Sequence, residues 1–500
     1  MANNKTKRAR RNRKQTAKRP GQAVIKVLNA TSYDSARTSP DYRKHWIGAN
    51  SLSVDASLNP YVRRIQRERA RYEIANNPYA YGAAMTLANA VIGAGARLQV
   101  IMPDNDKELS ARIEGDFSQW ADDIRLSEKL RAMRFARFQD GESFGVLYNN
   151  ATRPADEVRL DLAPIDCERV CAKWNETDPL NVDGIQLDKW GNPVTYRVLT
   201  EHPGNLGGAL NQEETIYKAE NIVHWFRKSL PEQHRGCSEI SPALECFADL
   251  DRYTKAVVTA AETAADLAIV FYTDTFEDTG GFDVDNYSEI ENAANAASSD
   301  ANPFPEIPFS RGMNITAPVG FKPSQVKAEQ PTTTYPAFVD ELLGQIGAAL
   351  GLPRLLMKHC AAGYNYASGR LDFQEYHRFI QLNQKSCVTA VLNPLFKAWF
   401  KEWQLVNGVR ITRRPLTVWN WDGFEHVDPL KEANAQAVRL NSLTTTLAAE
   451  YGKAGKDWED ELTQLARERA KIKELEQEYG IELQPKDETI RDSDSDGDGN

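Results

Sequence analysis

The stretch Ala75–Pro103, ANNPYAYGAAMTLANAVIGAGARLQVIMP, sets the architecture of what surrounds it. Asn76, Asn77 and Pro78 open an Ala-rich apolar run. An Asn side chain satisfies the orphan amides of a helix start, and proline fits the first helical position. Gly93 and Gly95 stop the helix. Leu98, Val100 and Met102 then alternate with other residues, the period of a half-buried strand. Upstream, Tyr61–Asn76 reads as a highly charged helix. Its first part, Tyr61–Arg71, carries five arginines, and with Glu68 among them an exposed, salt-bridged face is expected. Downstream, Lys107–Trp120 and Ser127–Asp140 read as two further helices.

A β-rich block follows, with short strands at Phe144–Tyr148, Val158–Pro164, Gly184–Leu187, Val194–Leu199 and Ile222–Phe226. Trp190-Gly191-Asn192-Pro193 reads as a hairpin turn. Ser241-Pro242 starts a helix running to about Leu267, roughly 40 Å at 1.5 Å per residue. Its stripe comprises Leu244, Phe247, Leu250, Val257, Ala261 and Ala264, and its second half is full of alanine. Such a helix suits close packing between copies of itself, or an ordinary place inside one domain; the pattern alone leaves both open. Pro336–Leu350 reads as an amphipathic helix with a stripe of Phe338, Leu342, Ile346 and Ala349, ended by Gly351 and Pro353. Lys358–Arg370, KHCAAGYNYASGR, reads as a Gly-punctuated loop. A long helical pattern runs from Leu371 to Trp403 with Pro394 as a break. Further helices run from Asp428-Pro429 to about Tyr451 and from Asp457 to Gly480.

At 500 residues the chain is long enough for about three domains. It is 41% hydrophobic and 26% charged, an ordinary globular composition. No apolar run is long enough for a membrane span, and the basic start lacks the apolar segment of a secretory signal. The six cysteines, at 167, 171, 237, 246, 360 and 387, form no metal-ligand spacing and are expected to be reduced and mostly buried. The net charge of −9 is unevenly spread. Residues 1–23 are a basic arm with almost no large apolar side chains, expected to be disordered. Residues 484–500 form an acidic tail, also expected to be disordered. Asp274–Glu306 holds acids but no Lys or Arg. Charge in blocks marks arms and patches that meet other macromolecules.

Catalytic signatures are missing. There is no G-x-x-x-x-G-K-[ST], H-E-x-x-H or G-x-S-x-G. His359-Cys360 lacks an orienting acid. Asp492-x-Asp494-x-Asp496-Gly497 opens like a calcium loop, but no bidentate Glu follows it. The chain reads as a non-enzyme that uses no cofactor and no metal.

Several segments, in order, resemble the lambda-like family of phage portal proteins. Ala75–Pro103 is similar to that family's N-terminal signature. Phe226–Cys237 (FRKSLPEQHRGC) with Ser238–Leu250 (SEISPALECFADL) resembles its "PGQxRGxS…APxL" junction. Ile346–Met357 (IGAALGLPRLLM) resembles a family helix end. Asn365–Arg370 (NYASGR) resembles "NYSSAR", departing at Ala367 and Gly369. Asp428–Leu443 with Asp457–Glu468 resembles the "DPxKEaxA…rl…D…E" close. The resemblance runs from about Tyr61 to Tyr479.

The resemblance implies an α+β portal fold with a β-rich wing, a long stem helix, an acidic clip and a helical C-terminal crown. By chain order the wing is 24–237 and again 311–426, the stem 238–268, the clip with the returning stem 269–310, and the crown 427–483. It implies a ring of twelve subunits at one capsid vertex of the virion, assembled in the host bacterial cytoplasm. The ring is the head–tail connector, a channel for packaging and ejecting double-stranded DNA without sequence specificity. Implied partners are further copies of the chain, the terminase large subunit, major capsid and scaffolding proteins, and head-completion or tail proteins. Expected channel residues are Lys358, His359, Tyr364, Tyr366 and Arg370. Expected motor-docking residues are Asp283, Asp285, Glu289 and Glu291. Phe247, Leu250, Val257, Ala261 and Ala264 are expected to pack subunit against subunit. A different reading of the basic arm is a structural capsid or nucleic-acid-binding virion protein without a channel.

Overall fold

A computed structural model describes residues 44–104, 106–173, 175–205, 213–265, 269–272, 322–325, 334–423, 429–453 and 456–481. The basic arm, the acidic tail and most of the 269–310 segment therefore lie outside the described residues. The chain divides into a unit Met1–Ser53 and a unit Val54–Asn500. In the first, residues 46–49 make one turn, the Ala49 amide donating to the Trp46 carbonyl at 3.0 Å.

The second unit opens with one helical turn (Val54–Ser57), then α1 (Pro60–Asn76) and α2 (Pro78–Ile92). Asn59 caps α1 by accepting from the Val62 amide at 3.1 Å. Asn77 caps α2 by accepting from the Tyr79 amide at 3.1 Å. Proline is the first residue of both helices. Gly93, at φ 54°, ends α2 in the left-handed region that glycine enters without strain. The buried face of α2 is small, with Ala80, Ala83, Ala84 and Ala88 around Leu87 and Val91, so neighbouring helices approach its backbone closely. β1 (Arg97–Ile101), α3 (Lys107–Asp123) and α4 (Leu126–Asp140) follow.

Strand β2 (Glu142–Asn149) lies between β3 (Leu160–Ile165) and β8 (Ile222–Phe226) in an antiparallel sheet. A second antiparallel sheet runs in order through β4 (Asn181–Val182), β5 (Ile185–Leu187), β6 (Pro193–Leu199) and β7 (Glu214–Lys218). β7 lies outside the strands expected from sequence. The two faces of β2 serve two cores. Phe144 and Val146 join Ile185, Tyr196, Val198 and Ile222 under the four-stranded sheet. Leu147 joins the larger core, built on α1–α4 and the later helices.

A 3-10 turn (Ser241–Ala243) leads into α5 (Leu244–Ala265). β9 (Ile269–Tyr272) pairs antiparallel with β10 (Lys322–Gln325). α6 (Tyr335–Leu350) buries Val339, Leu343, Ile346 and Leu350. The expected stripe is thus displaced by one position at three of its four places. Phe338 is exposed on its other side and lies 4.6 Å, ring to ring, from Tyr253 of α5. α7 (Arg354–Lys358), α8 (Tyr366–Cys387), a π-helical segment (Val388–Leu392) and α9 (Asn393–Val406) continue. Pro394 has no amide to donate and crowds the preceding turn, and the wide π turn directly before it absorbs that disruption.

Phe117 is the centre of an aromatic cluster, its ring 5.3 Å from Trp120, 5.8 Å from Phe396, 5.1 Å from Trp399 and 5.6 Å from Trp419. Trp419 comes from β11 (Leu416–Asn420), which pairs antiparallel with β1, Leu98 opposite Trp419. The expected single helix to Tyr451 is instead α10 (Pro429–Asn441) and α11 (Leu447–Lys453), separated at Leu443, φ 56°. α12 (Trp458–Tyr479) is last. Among the described residues no helix is long and apolar enough to cross a membrane. Cys167 and Cys387 are buried, Cys171, Cys237 and Cys246 half-buried and Cys360 exposed, fewer buried thiols than expected.

Candidate functional site

The expected channel segment is shorter as a loop than its sequence suggested. Gly351, at φ 70°, ends α6, and Pro353 starts α7. Lys358 closes α7 and pairs with Asp340 of α6, as Arg354 does. His359 takes a left-handed conformation, φ 48°, and its Nε2 would lie 3.8 Å from a Cβ at Gly82 of α2. Tyr364 donates its hydroxyl to Asp372 at 3.1 Å. The Asn365 side chain accepts from the Ser368 amide at 2.8 Å, and the Ser368 hydroxyl accepts from the Asn365 amide at 3.2 Å. This reciprocal pair is a capping box. It starts α8 inside the segment read as loop, so Tyr366 and Arg370 are helical.

What remains is an exposed connection through Cys360, Ala361, Ala362 and Gly363, anchored at both ends. Lys358 and His359 stand at one end of that connection and Tyr364 at the other. Arg370 stands apart, exposed on α8. There Arg370 begins a face continued by Gln374, Arg378, Gln381 and Lys385, all exposed, with Glu375 the acid beside them. At 1.5 Å per residue this face is roughly 22 Å long.

The other expected positions fall as follows. Asp283, Asp285, Glu289 and Glu291 lie outside the described residues. Phe247 and Leu250, expected to pack between subunits, are 0% and 3% exposed inside the chain's own core, and Val257 is buried at 9%. Their partners are therefore intramolecular. Ala261 is half-buried, and Val258 on the same helix is 50% exposed. Ala264 lies in α5.

A second centre was not anticipated. Arg63, Arg67 and Arg71 occur at i, i+4 and i+8 of α1, one face of the helix. That face is turned inward, which the expectation of an exposed helix missed; the opposite face, with exposed Arg64, Glu68 and Arg69 and the Arg64–Glu68 pair at 3.0 Å, fits it. Glu142, fully buried at the start of β2, accepts from Arg235 Nη2 at 2.7 Å and Nε at 3.0 Å, Arg67 Nη2 at 2.5 Å, the Gly236 amide at 2.9 Å and His224 Nε2 at 3.1 Å. Asp183 pairs with Arg63 and with Arg235, the latter at 3.1 Å. Arg71 reaches Asp140 at 2.8 Å, Asp166 at 3.0 Å and Glu168 at 3.3 Å. The Arg235 guanidinium sits 5.4 Å from the Phe144 ring centre.

Burial alone would raise the Glu142 carboxyl, but Arg235, the His224 hydrogen bond and Arg67 hold it well below the usual carboxylate range. Burial lowers His224, against the pull of Glu142. Its ring stacks between Phe144 at 4.2 Å and Phe226 at 4.5 Å. Burial brings Arg63 down to about 10, with Arg235 acting in the same direction. Both Glu142 oxygens are occupied by donors, so Glu142 is engaged in internal pairing. The centre joins α1, the α4–β2 turn, the β4–β5 turn and the His234–Cys237 segment by charge. The backbone there permits no side chain: a Cβ at Gly236 would lie 2.2 Å from the Gly141 carbonyl oxygen. The sequence signals were the arginine spacing in α1 and the HRGC run.

Comparison with known proteins places the chain in a family. The family model described as phage portal protein, lambda family, matches residues 41–384. A protein named "Probable portal protein" from Halomonas phage phiHAP-1 is 23% identical over 446 residues, covering 84% of this chain and 83% of that protein. Among solved structures, a chain of the neck of a native gene transfer agent particle, computed with C12 symmetry, has a TM-score of 0.40 and 13% identity, covering 75% of this chain and 88% of its own. The HK97 family phage portal protein from Corynebacterium diphtheriae has a TM-score of 0.30 and 13% identity, covering 61% and 85%.

Proposed function

The chain belongs to the lambda family of phage portal proteins, and we propose that it forms a closed ring of twelve subunits at one capsid vertex, through which double-stranded DNA is packaged and ejected. The match over residues 41–384 carries this reading. Ring closure needs head-to-tail contacts between unlike surfaces. DNA presents one charge per ~1.7 Å of axis, so cations lining a channel must be few and screened if the duplex is to slide. The 359–365 connection and the α8 face of Arg370, Arg378 and Lys385 are the DNA-facing elements in this reading. Exposed, spaced cations suit transient phosphate contact, whereas the Arg63–Arg67–Arg235 set is consumed by internal pairs. Asp283, Asp285, Glu289 and Glu291 are the proposed docking charges for the terminase motor, which supplies ATP hydrolysis. Capsid and scaffolding proteins surround the ring, and head-completion proteins bind after packaging.

Negative-stain electron microscopy of the purified chain tests the ring. Closed annuli without nucleic acid or metal are expected. A monodisperse monomer at micromolar concentration in light scattering would overturn it.

A further inference from the structure

A third cluster of charge lies outside both the α1 centre and the proposed DNA-facing elements, and its pairing does not close. Arg134 and Arg137 stand one turn apart on α4, and Glu239 precedes the turn into α5. Arg134 Nη2 donates to Glu239 Oε2 at 2.9 Å, and Arg137 Nε lies 2.9 Å from Oε1. The side chains of Arg134, Arg137 and Glu239 are 0%, 3% and 9% exposed. Arg137 Nη2 donates to Asn383 Oδ1 of α8 at 3.2 Å, and its guanidinium sits 5.0 Å from the Trp225 ring centre. Arg134 Nε and Nη1, Arg137 Nη1 and the Tyr376 hydroxyl are buried with no hydrogen-bond partner among the described residues. Tyr376, Asn383 and Cys387 fall at i, i+7 and i+11 of α8, one face of that helix. Arg134 acts electrostatically on both Tyr376 and Cys387.

The charge does not balance either. Two guanidiniums face one carboxylate. Burial would raise the Glu239 carboxyl, but Arg134 and Arg137 hold it below its usual range, so it carries its full charge. Burial brings Arg137 down to about 10, with Glu239 opposing it, and it stays charged at neutral pH. Cys387 supplies no second negative charge, since burial pushes its thiol up to about 12. Arg227, exposed nearby, adds positive charge. A buried guanidinium with unfilled donors and an uncancelled charge is costly. The leftover groups are N–H donors and a hydroxyl, which recruit an anion. One excess positive charge calls for one negative charge; a divalent oxyanion would reverse the imbalance instead of cancelling it.

We propose that the Arg134–Arg137–Tyr376 cluster between α4 and α8 binds a single monovalent inorganic anion of the halide class, chloride in ordinary solution. The anion completes the pairing of Arg134 and joins α4, the segment before α5 and α8 through one shared charge.

The test follows thermal unfolding of the full chain as sodium chloride replaces sodium gluconate at constant ionic strength. A ligand held by the folded state alone raises the midpoint with the logarithm of its concentration. A rise of about 1–3 °C per tenfold chloride above the dissociation constant is expected for a chain of this size. Arg134→Met, close in length and uncharged, should abolish that dependence. Equal midpoints in the two salts overturn the proposal, and so does a chloride dependence that survives in Arg134→Met. If that variant does not fold, crystals of the wild-type chain soaked in sodium bromide decide. An anomalous peak within hydrogen-bond reach of Arg134 and Tyr376 is expected, and its absence from that position overturns the site.

Discussion

Arg235 and Arg370 both stand beside glycine in segments that resemble portal motifs, and they meet opposite surroundings. Arg235 has no exposed side-chain surface and is divided among Glu142, Asp183 and the Val170 carbonyl. Arg370 is exposed on α8, near a connection whose cation Lys358 is paired at the rim with Asp340. The same side chain is an internal fastener in one place and stands exposed to solvent in the other. Burial, rather than motif, separates the two: a buried guanidinium must be paired away from water, while an exposed one remains available.

Breaking the buried side should have the largest effect. Glu142→Ala leaves Arg235 and Arg67 without their carboxylate, and a loss of about 3–5 kcal/mol is expected in urea unfolding. The pH dependence sharpens the same point. His224 is lowered in the fold, so stability should begin to fall as pH drops through the ordinary histidine value of about 6.5. Glu142 is lowered too, so its contribution is intact above its ordinary value near 4.5 and is lost only as pH falls through its folded value. Unfolding midpoints measured from pH 8 to pH 3 should show both declines. Gly236→Ala drives a methyl into the Gly141 carbonyl, with about 1–3 kcal/mol expected from the strain.

On the exposed side the effects on stability shrink. Asn365→Ala removes the α8 capping box and should cost about 1 kcal/mol in the same unfolding measurement. The triple change of Arg370, Arg378 and Lys385 to alanine should stay within about 0.5 kcal/mol of wild type. It should nonetheless weaken DNA retention and make binding less sensitive to salt, the slope falling by about 1 for each phosphate no longer neutralised. Unchanged retention at low salt would remove the α8 face from the channel.

The sequence carried the helices well where chemistry is local. Asn77-Pro78 and Gly93 bound α2 at the expected residues, because caps act within a few positions. It carried less where partners are distant. β11 pairs with β1 from the far end of the chain, and nothing within Leu416–Asn420 names that partner. The α1 arginines looked exposed because the acids they meet come from β2 and from turns at 140, 166 and 183. On α6, helical period alone could not distinguish the stripe through Leu343 from the one through Leu342, since Phe338 finds its aromatic partner on α5. The Asn365–Ser368 box went unread, because the glycines around it suggested loop.

The β1–β11 ribbon also bears on the order in which the molecule can be made. Arg97 at the start of β1 and Asp422 just beyond β11 are joined at 3.0 Å across 325 residues of chain. Gln99 and Lys107 then donate to Asp457 and Glu459, at and just inside the start of α12. Pairings so remote in sequence are the slowest to close, since their loop entropy is spent before they return any stability. On a ribosome β11 emerges only after nearly everything it packs against. The ribbon is therefore a completion mark, and a truncated or half-folded chain lacks that face.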